Sequence, residues 1–152
     1  MSVLKHLWRL FALWFVLGMC YTTIELFVRG VTYVQMLWIG GLAGVLIGLL
    51  DKQPAYYNRR MWQQCFLGTL ITLAVELCSG YVVNIKLHLD IWDYSSMPYN
   101  FYGQICLPTA IAWFFLMPLA IYADDWLRWK LFYERHPNGG ILANYIRLFR
   151  GK

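Results

Sequence analysis

Four long apolar runs, set apart by short polar breaks, dominate this chain: residues 7–27, 31–50, 61–83 and 104–126. Each matches the roughly 20 mostly apolar residues that a membrane-spanning helix needs. Gln53-Pro54 interrupts the pattern after the second run, and residues 95–100 interrupt it before the fourth. The composition closes off the alternative of a buried core. Of 152 residues, 60% are apolar, 18% aromatic and only 14% charged, where a soluble domain carries about 25% charged residues. A chain this short leaves much of its surface exposed. An ordinary soluble domain is therefore excluded, and so is disorder. The fold class expected is an all-α, polytopic membrane helix bundle of four transmembrane helices. It divides into a transmembrane domain, 1–123, and a tail, 124–152.

The basic residues set an expected orientation. Lys5, Arg9, Lys52, Arg59, Arg60, Arg128, Lys130, Arg135, Arg147, Arg150 and Lys152 would share one side, leaving Arg29 and Lys86 on the other. Positive residues stay cytoplasmic, so both termini are expected inside, in the inner membrane. The net charge of +5 thus reflects topology rather than nucleic-acid binding. The same imbalance argues against an antiparallel dual-topology dimer. Lys5 and Arg9 before an apolar run resemble a signal peptide, and Leu17-Gly18-Met19-Cys20 resembles a lipoprotein site. Met19 fits that site poorly, and a retained helix is the expectation.

The tail is broken at Pro137-Asn138-Gly139-Gly140. Beyond the break, Ile141, Leu142, Tyr145, Leu148 and Phe149 share one helical face, while Asn144, Arg147, Arg150 and Lys152 fall elsewhere. A basic amphipathic helix of this kind lies on anionic lipid, or docks on a cytoplasmic partner. Cys20, Cys65, Cys78 and Cys106 read as four small buried thiols. His6, His88 and His136 are far apart. No metal site or cofactor is expected.

Ionisable residues at bilayer depth cost about 2.5–3.5 kcal/mol on insertion scales, so Glu25 and Glu76 are the first candidates for function. Thr69, Thr72, Glu76, Ser79 and Gly80 follow one another at three- and four-residue steps and form a stripe. Gly18, Thr22, Glu25 and Arg29 repeat the device in the first run. Both stripes should face the bundle interior. Two readings stand for each acid. Glu25 is either half of an ion pair with Arg29 or part of a site. Glu76 is either a protonated or hydrogen-bonded structural acid or a substrate, ion or proton site. Gly40, Gly44 and Gly48 form a ridge for close helix packing, against another span or a second copy. Pro108 and Pro118 are candidate bends in the fourth helix.

The connection between the third and fourth runs is rich in aromatics, which suit a membrane interface. Asp93 and Asn100 there are expected to cap the two glutamates. Its order is also distinctive. Glu76-Leu77-x-x-Gly80, then Trp92-Asp93-Tyr94-Ser95, then Pro98-x-Asn100-x-x-Gly103-x-Ile105-x-Leu107 resembles the CmpB-like family, labelled ABC-transporter type IV permeases. Small vertebrate four-helix membrane proteins look similar through the same segment. The likeness covers about residues 18–113. Glu25 and Arg29-Gly30 look like the family's first-helix glutamate and Arg-Gly pair, and Leu37-Trp38-Ile39-Gly40-Gly41 is similar to the start of its second helix. Val28 stands where an Asn usually precedes the Arg-Gly pair, and Gly40 where a Tyr usually precedes the second-helix glycine.

The resemblance implies a membrane protein of transport function. Glu25, Glu76, Asp93, Asn100, Trp92, Tyr94 and Arg29 are the candidate substrate- or ion-binding residues, and Gly40, Gly44, Gly48 and Gly80 the packing residues. No GxxxxGK[ST] loop is present, so a permease would need a separate ATPase subunit and, with four spans, an oligomer. Two alternatives stand beside it. One is a non-transporting partner that assembles or regulates another complex. The other is an intramembrane enzyme using Glu76 and Asp93 as acid and base, which the lack of a nucleophile–base pair disfavours.

Overall fold

The computed structural model describes residues 3–151. Lys152, one of the basic residues expected inside, lies outside the described residues, as do the first two residues of the expected domain 1–123. The chain is all-α: α1 (Val3–Arg29), α2 (Val34–Asp51), a single turn α3 (Pro54–Tyr57), α4 (Met61–Gly80), α5 (Leu107–Phe132) and α6 (Ile141–Phe149). A π-helical extension, Tyr81–Lys86, continues α4. Among the described residues there is no strand, only an isolated bridge between Phe101 and Ile105. α1, α4 with its extension, and α5 are long and apolar enough to cross a membrane. α2 carries a shorter apolar stretch, Val34–Leu50.

α1 and α2 form a hairpin. Gly30 ends α1 at φ +73°, and its N–H returns to the Leu26 carbonyl at 2.9 Å. Only glycine takes that conformation at little cost. Residues 31–33 are extended, so α2 starts at Val34 instead of residue 31. The glycine ridge is used inside the chain. A Cβ on Gly40 would lie 2.5 Å from the Tyr21 ring, and one on Gly44 would lie 2.9 Å from Leu17. Gly48 turns instead to Asp124 of α5.

α3 is pinned to α4 by backbone carbonyls. Gln64 Nε2 donates to the Tyr57 and Arg59 carbonyls at 3.2 and 2.8 Å, and the Tyr56 hydroxyl donates to the Gln64 carbonyl at 2.8 Å. α5 starts at Leu107, three residues later than expected, and runs unbroken through Asp124 to Phe132. Pro108 therefore sits in its first turn, where the missing N–H has no intrahelical partner to lose. It is no bend in the helix, and Pro118 is the proline inside it.

α6 folds back onto the bundle. The Tyr145 hydroxyl donates to the Phe115 carbonyl at 2.8 Å, and Asn144 Nδ2 donates to the Pro118 carbonyl at 3.2 Å. Asn144, expected away from the docked face, is buried in this contact with α5. Leu148 enters the cluster of Ile47, Met61, Cys65, Met117 and Ile121. Leu142, Ile146 and Phe149 stay exposed beside Arg147 and Arg150, the arrangement of a helix with one edge on protein and one apolar face on lipid. Cys65 and Cys106 are buried as expected, but Cys20 and Cys78 lie exposed on the bundle's outer surface.

The two ends differ in charge. At one end Glu134 sits between Arg9 at 3.5 Å and Lys52 at 3.3 Å, and the Arg135 guanidinium lies 4.0 Å over the Tyr57 ring. The other end holds Arg29, Lys86 and the connection between α4 and α5.

Candidate functional site

Glu25 and Glu76 are almost equally buried, 5% and 6% exposed. Their surroundings differ. Glu25 Oε1 accepts from Arg29 Nη1 at 2.6 Å, and Oε2 accepts from the Thr32 hydroxyl. Arg29 also donates to the Ile91 carbonyl at 3.0 Å. The Glu25–Arg29 pair therefore ties α1, the α1–α2 turn and the connection between α4 and α5 together. Glu76 Oε1 accepts one hydrogen bond, from Trp113 Nε1 of α5, at 2.9 Å. Its Oε2 is buried and has no hydrogen-bond partner among the described residues.

The polar stripe of α4 faces inward, with Thr69, Thr72, Glu76 and Gly80 buried and Ser79 half-buried. The hydroxyls are spent locally. Thr69 donates to the Cys65 carbonyl at 2.8 Å, Thr72 to Gly68 at 3.1 Å and Ser79 to Val75 at 2.6 Å. Such back-bonding satisfies a Ser or Thr within its own helix. Glu76 alone in the stripe keeps an unmatched polar atom.

Glu76 lines a cavity of about 610 Å³. α1, α2, α4 and α5 all contribute to its walls, which are apolar apart from a few groups around Glu76 and Thr72. Tyr21 and Trp113 line its polar end with their rings stacked, centroids 5.7 Å apart. Tyr21 lies one turn before Glu25 on α1, so this ring pair links the neighbourhoods of the two acids. Sequence patterning missed both rings, because an aromatic within an apolar run carries no signal of its own.

The connection between α4 and α5 is a locked structure. Asn84 Nδ2 donates to Gln104 Oε1 at 2.9 Å, and Asn84 Oδ1 accepts from the Ile91 N–H at 2.8 Å. The buried Trp92 indole donates to the Gln104 carbonyl at 3.0 Å. Its ring and the Gln104 side chain close over Gly80, which leaves no room there for a Cβ. Neither Asn84 nor Gln104 stood out in the sequence, since each falls at the edge of an apolar run. Tyr94 packs into the cluster around Ile39, Val75 and Trp92. Burial pushes its hydroxyl up to about 12; the nearby Glu76 carboxylate adds to this and Arg29 opposes it.

Asp93 and Asn100 do not cap the glutamates. Both are exposed and brace the loop itself. Asp93 Oδ1 accepts from the Ser95 hydroxyl at 2.5 Å and the Ser95 N–H at 2.8 Å, which holds its carboxyl below the usual range. Asn100 donates to the Ser95 and Met97 carbonyls at 3.1 and 2.9 Å and accepts from the Gly103 N–H at 3.2 Å. The turn places Gly103 at φ +66° against Ser95 and Asp93, where a side chain would be strained and crowded. A short polar residue one turn from its own backbone satisfies it locally, and that local pull outcompetes a longer reach to the helices.

A second buried charge pair lies in α5. Arg128 Nε donates to Asp124 Oδ2 at 2.5 Å, and both side chains are almost fully buried. Their spacing of four residues was visible in the sequence, but the surrounding charges made the segment read as surface.

A family model described as "Putative ABC-transporter type IV", for the CmpB-like proteins, matches residues 5–139. No solved structure matches the chain.

Proposed function

The chain belongs to the CmpB-like family of ABC-transporter type IV proteins, and from that premise we propose that it is a permease or transport-associated subunit whose polar intramembrane site centres on Glu76. It is a membrane protein of a transporter-type family, with apolar helices to match. In the proposal it crosses the inner membrane four times, with residues 1–123 as the transmembrane domain and 124–152 as the cytoplasmic tail. α2 takes the role of a short span, within the lower range for a membrane helix. Both termini are cytoplasmic. The gathering of Arg9, Lys52 and Arg135 at one end supports that orientation. A separate ATPase subunit supplies energy, and copies of the chain associate to complete a pathway.

One observation carries this reading. Glu76 is a buried carboxylate on a cavity wall, and one of its oxygens has no partner among the described residues. Buried polar groups in static bundles are matched, and intramembrane acids that are not matched serve substrates, ions or protons. In this division of labour Glu25, Arg29, Trp92, Tyr94, Asp93 and Asn100 shape the outer half of the site. A purely assembling role draws less support, because the glycine ridge, its natural contact surface, is covered by α1 and α5 of the same chain. The catalytic alternative needs Asp93 near Glu76, and Asp93 is exposed and engaged with Ser95.

Proteoliposomes loaded with isotopically labelled cell extract test the proposal, with mass spectrometry reading which solutes leave. The chain, reconstituted with its ATPase, should speed the loss of one solute class, and Glu76→Gln should remove that gain. A protein-dependent flux untouched by Glu76→Gln sinks the role of the carboxylate. No protein-dependent flux in any arrangement sinks the transport reading.

A further inference from the structure

The cavity beside Glu76 has the shape and chemistry of a site for one amphiphile. Phe15, Met19 and Ile24 of α1 line it and are also exposed on the bundle surface. It therefore opens sideways between α1 and α5. The two helices meet toward one end through Leu13, Leu17 and Leu127, and toward the other through the stacked rings of Tyr21 and Trp113. Between these contacts the wall is open to the lipid phase. Its volume of about 610 Å³ falls within the roughly 300–1,000 Å³ of small-molecule sites.

The polarity of the cavity is one-sided. Away from Glu76 the lining is aliphatic, with Ala120, Ala123, Leu119 and Ile47. The Glu76 end holds the one acidic side chain of the lining, and no Lys or Arg lines the cavity. Oε1 is already engaged by the Trp113 indole, and Oε2 is buried without a partner among the described residues. Two aromatic rings flank this end, and ring faces attract cations. A carboxylate oxygen without a donor, aromatic faces and an absence of basic side chains all select for a positive head that donates hydrogen bonds. The aliphatic remainder selects for a hydrocarbon tail.

We propose that this cavity binds a single-chain amphiphilic cation, an alkylammonium or a lipid with a primary ammonium head, which enters sideways between α1 and α5 and places its head at Glu76, whose side chain turns toward it to bring Oε2 into contact. The inference rests on the reading of Glu76 as a ligand-facing group and names the ligand class for that site. Tyr21 and Trp113 close over the head, and the tail lies along Ala120 and Ala123. An anionic head would face an uncompensated carboxylate, and a neutral head would gain only an ordinary hydrogen bond.

The full chain in nanodiscs of zwitterionic lipid is titrated with dodecylammonium at neutral pH, and uptake is measured as the excess over empty nanodiscs. Dodecanol and dodecyl phosphate serve as neutral and anionic probes of the same tail length. The expected result is saturable binding of one dodecylammonium per chain, at least about tenfold weaker in Glu76→Gln. Ala120→Trp, which fills the tail end away from the carboxylate, should weaken binding by a similar factor and keeps the test decisive where Glu76→Gln fails to fold. Equal binding by the variants overturns the proposal. So does equal binding of all three probes, or uptake that never saturates. The flux experiment separates this failure from failure of the transport reading. Flux lost in Glu76→Gln without dodecylammonium binding leaves a transporter for another ligand class. Binding lost in Glu76→Gln with no protein-dependent flux leaves an amphiphile-binding protein that does not transport.

Discussion

Glu25 and Glu76 are two carboxylates of nearly equal burial in one bundle, and they have been placed in opposite circumstances. Glu25 has a partner on each oxygen, one of them a guanidinium. Glu76 has one neutral donor and an oxygen left over at a cavity. Burial alone therefore does not separate a structural acid from a functional one. In the proposed reading the count of partners does, because an interior charge is tolerated only when it is matched. The first acid holds three segments in register; the second keeps one oxygen unmatched among the described residues.

The sharpest control on this comparison is the most deeply buried ion pair, Asp124–Arg128. Asp124→Ala leaves a buried guanidinium without its 2.5 Å partner and should destabilise the protein by about 3–5 kcal/mol, read as denaturant unfolding in detergent. Arg29→Ala should come next. Arg29 is about one-third exposed while Glu25 is buried, so water recovers part of the loss and about 2 kcal/mol is expected. Glu76→Gln should cost less than about 1 kcal/mol, since no ion pair is lost. A larger loss for Glu76→Gln than for Arg29→Ala would break the comparison. The glycine ridge gives an intermediate case. Gly40→Leu drives its side chain into Tyr21 and should cost about 1–3 kcal/mol by overpacking, while also displacing the ring that lines the polar end of the cavity.

The smallest effect concerns pH and the outer loop. The Asp93 carboxyl is held below its usual range by the Ser95 hydroxyl and N–H. A depressed folded-state value means the brace is fully present above the ordinary carboxylate range and is lost as pH falls through the lowered value. Hydrogen exchange at the Ser95 amide should therefore stay slow through mild acid and quicken only in stronger acid. Asp93→Asn, which has no carboxyl to protonate, should abolish that onset, and the neighbourhood of Glu76 should not respond.

Much of this was legible in the sequence, for physical reasons. The long apolar helices follow from the apolar runs, and the inward face of α4 follows from the three- and four-residue steps between Thr69 and Gly80. The Glu25–Arg29 pair follows from its spacing of four. Other features depend on contacts between distant segments. Trp113 reaches Glu76 across 37 positions, and nothing in its own apolar run marks it. The cavity is a gap among α1, α2, α4 and α5, a property of their packing and not of any one helix. Asn144 was assigned to the polar edge of α6 because periodicity treats the helix as if it stood alone; its partner is the Pro118 carbonyl. Asp93 and Asn100 were assigned a long reach, and their shorter local bonds won. The edges of apolar runs were the weakest point, where Asn84 was read as the start of a connection and Gln104 as the start of a span, yet the two form a buried pair.

The most direct test is an infrared difference spectrum of the purified protein on adding dodecylammonium, recorded for the native chain, Glu25→Gln and Glu76→Gln. The account predicts a carboxyl band that responds in the native chain and in Glu25→Gln, and that vanishes in Glu76→Gln. A response that survives in Glu76→Gln, or one that vanishes in Glu25→Gln, would contradict the assignment of Glu76 as the ligand-facing acid.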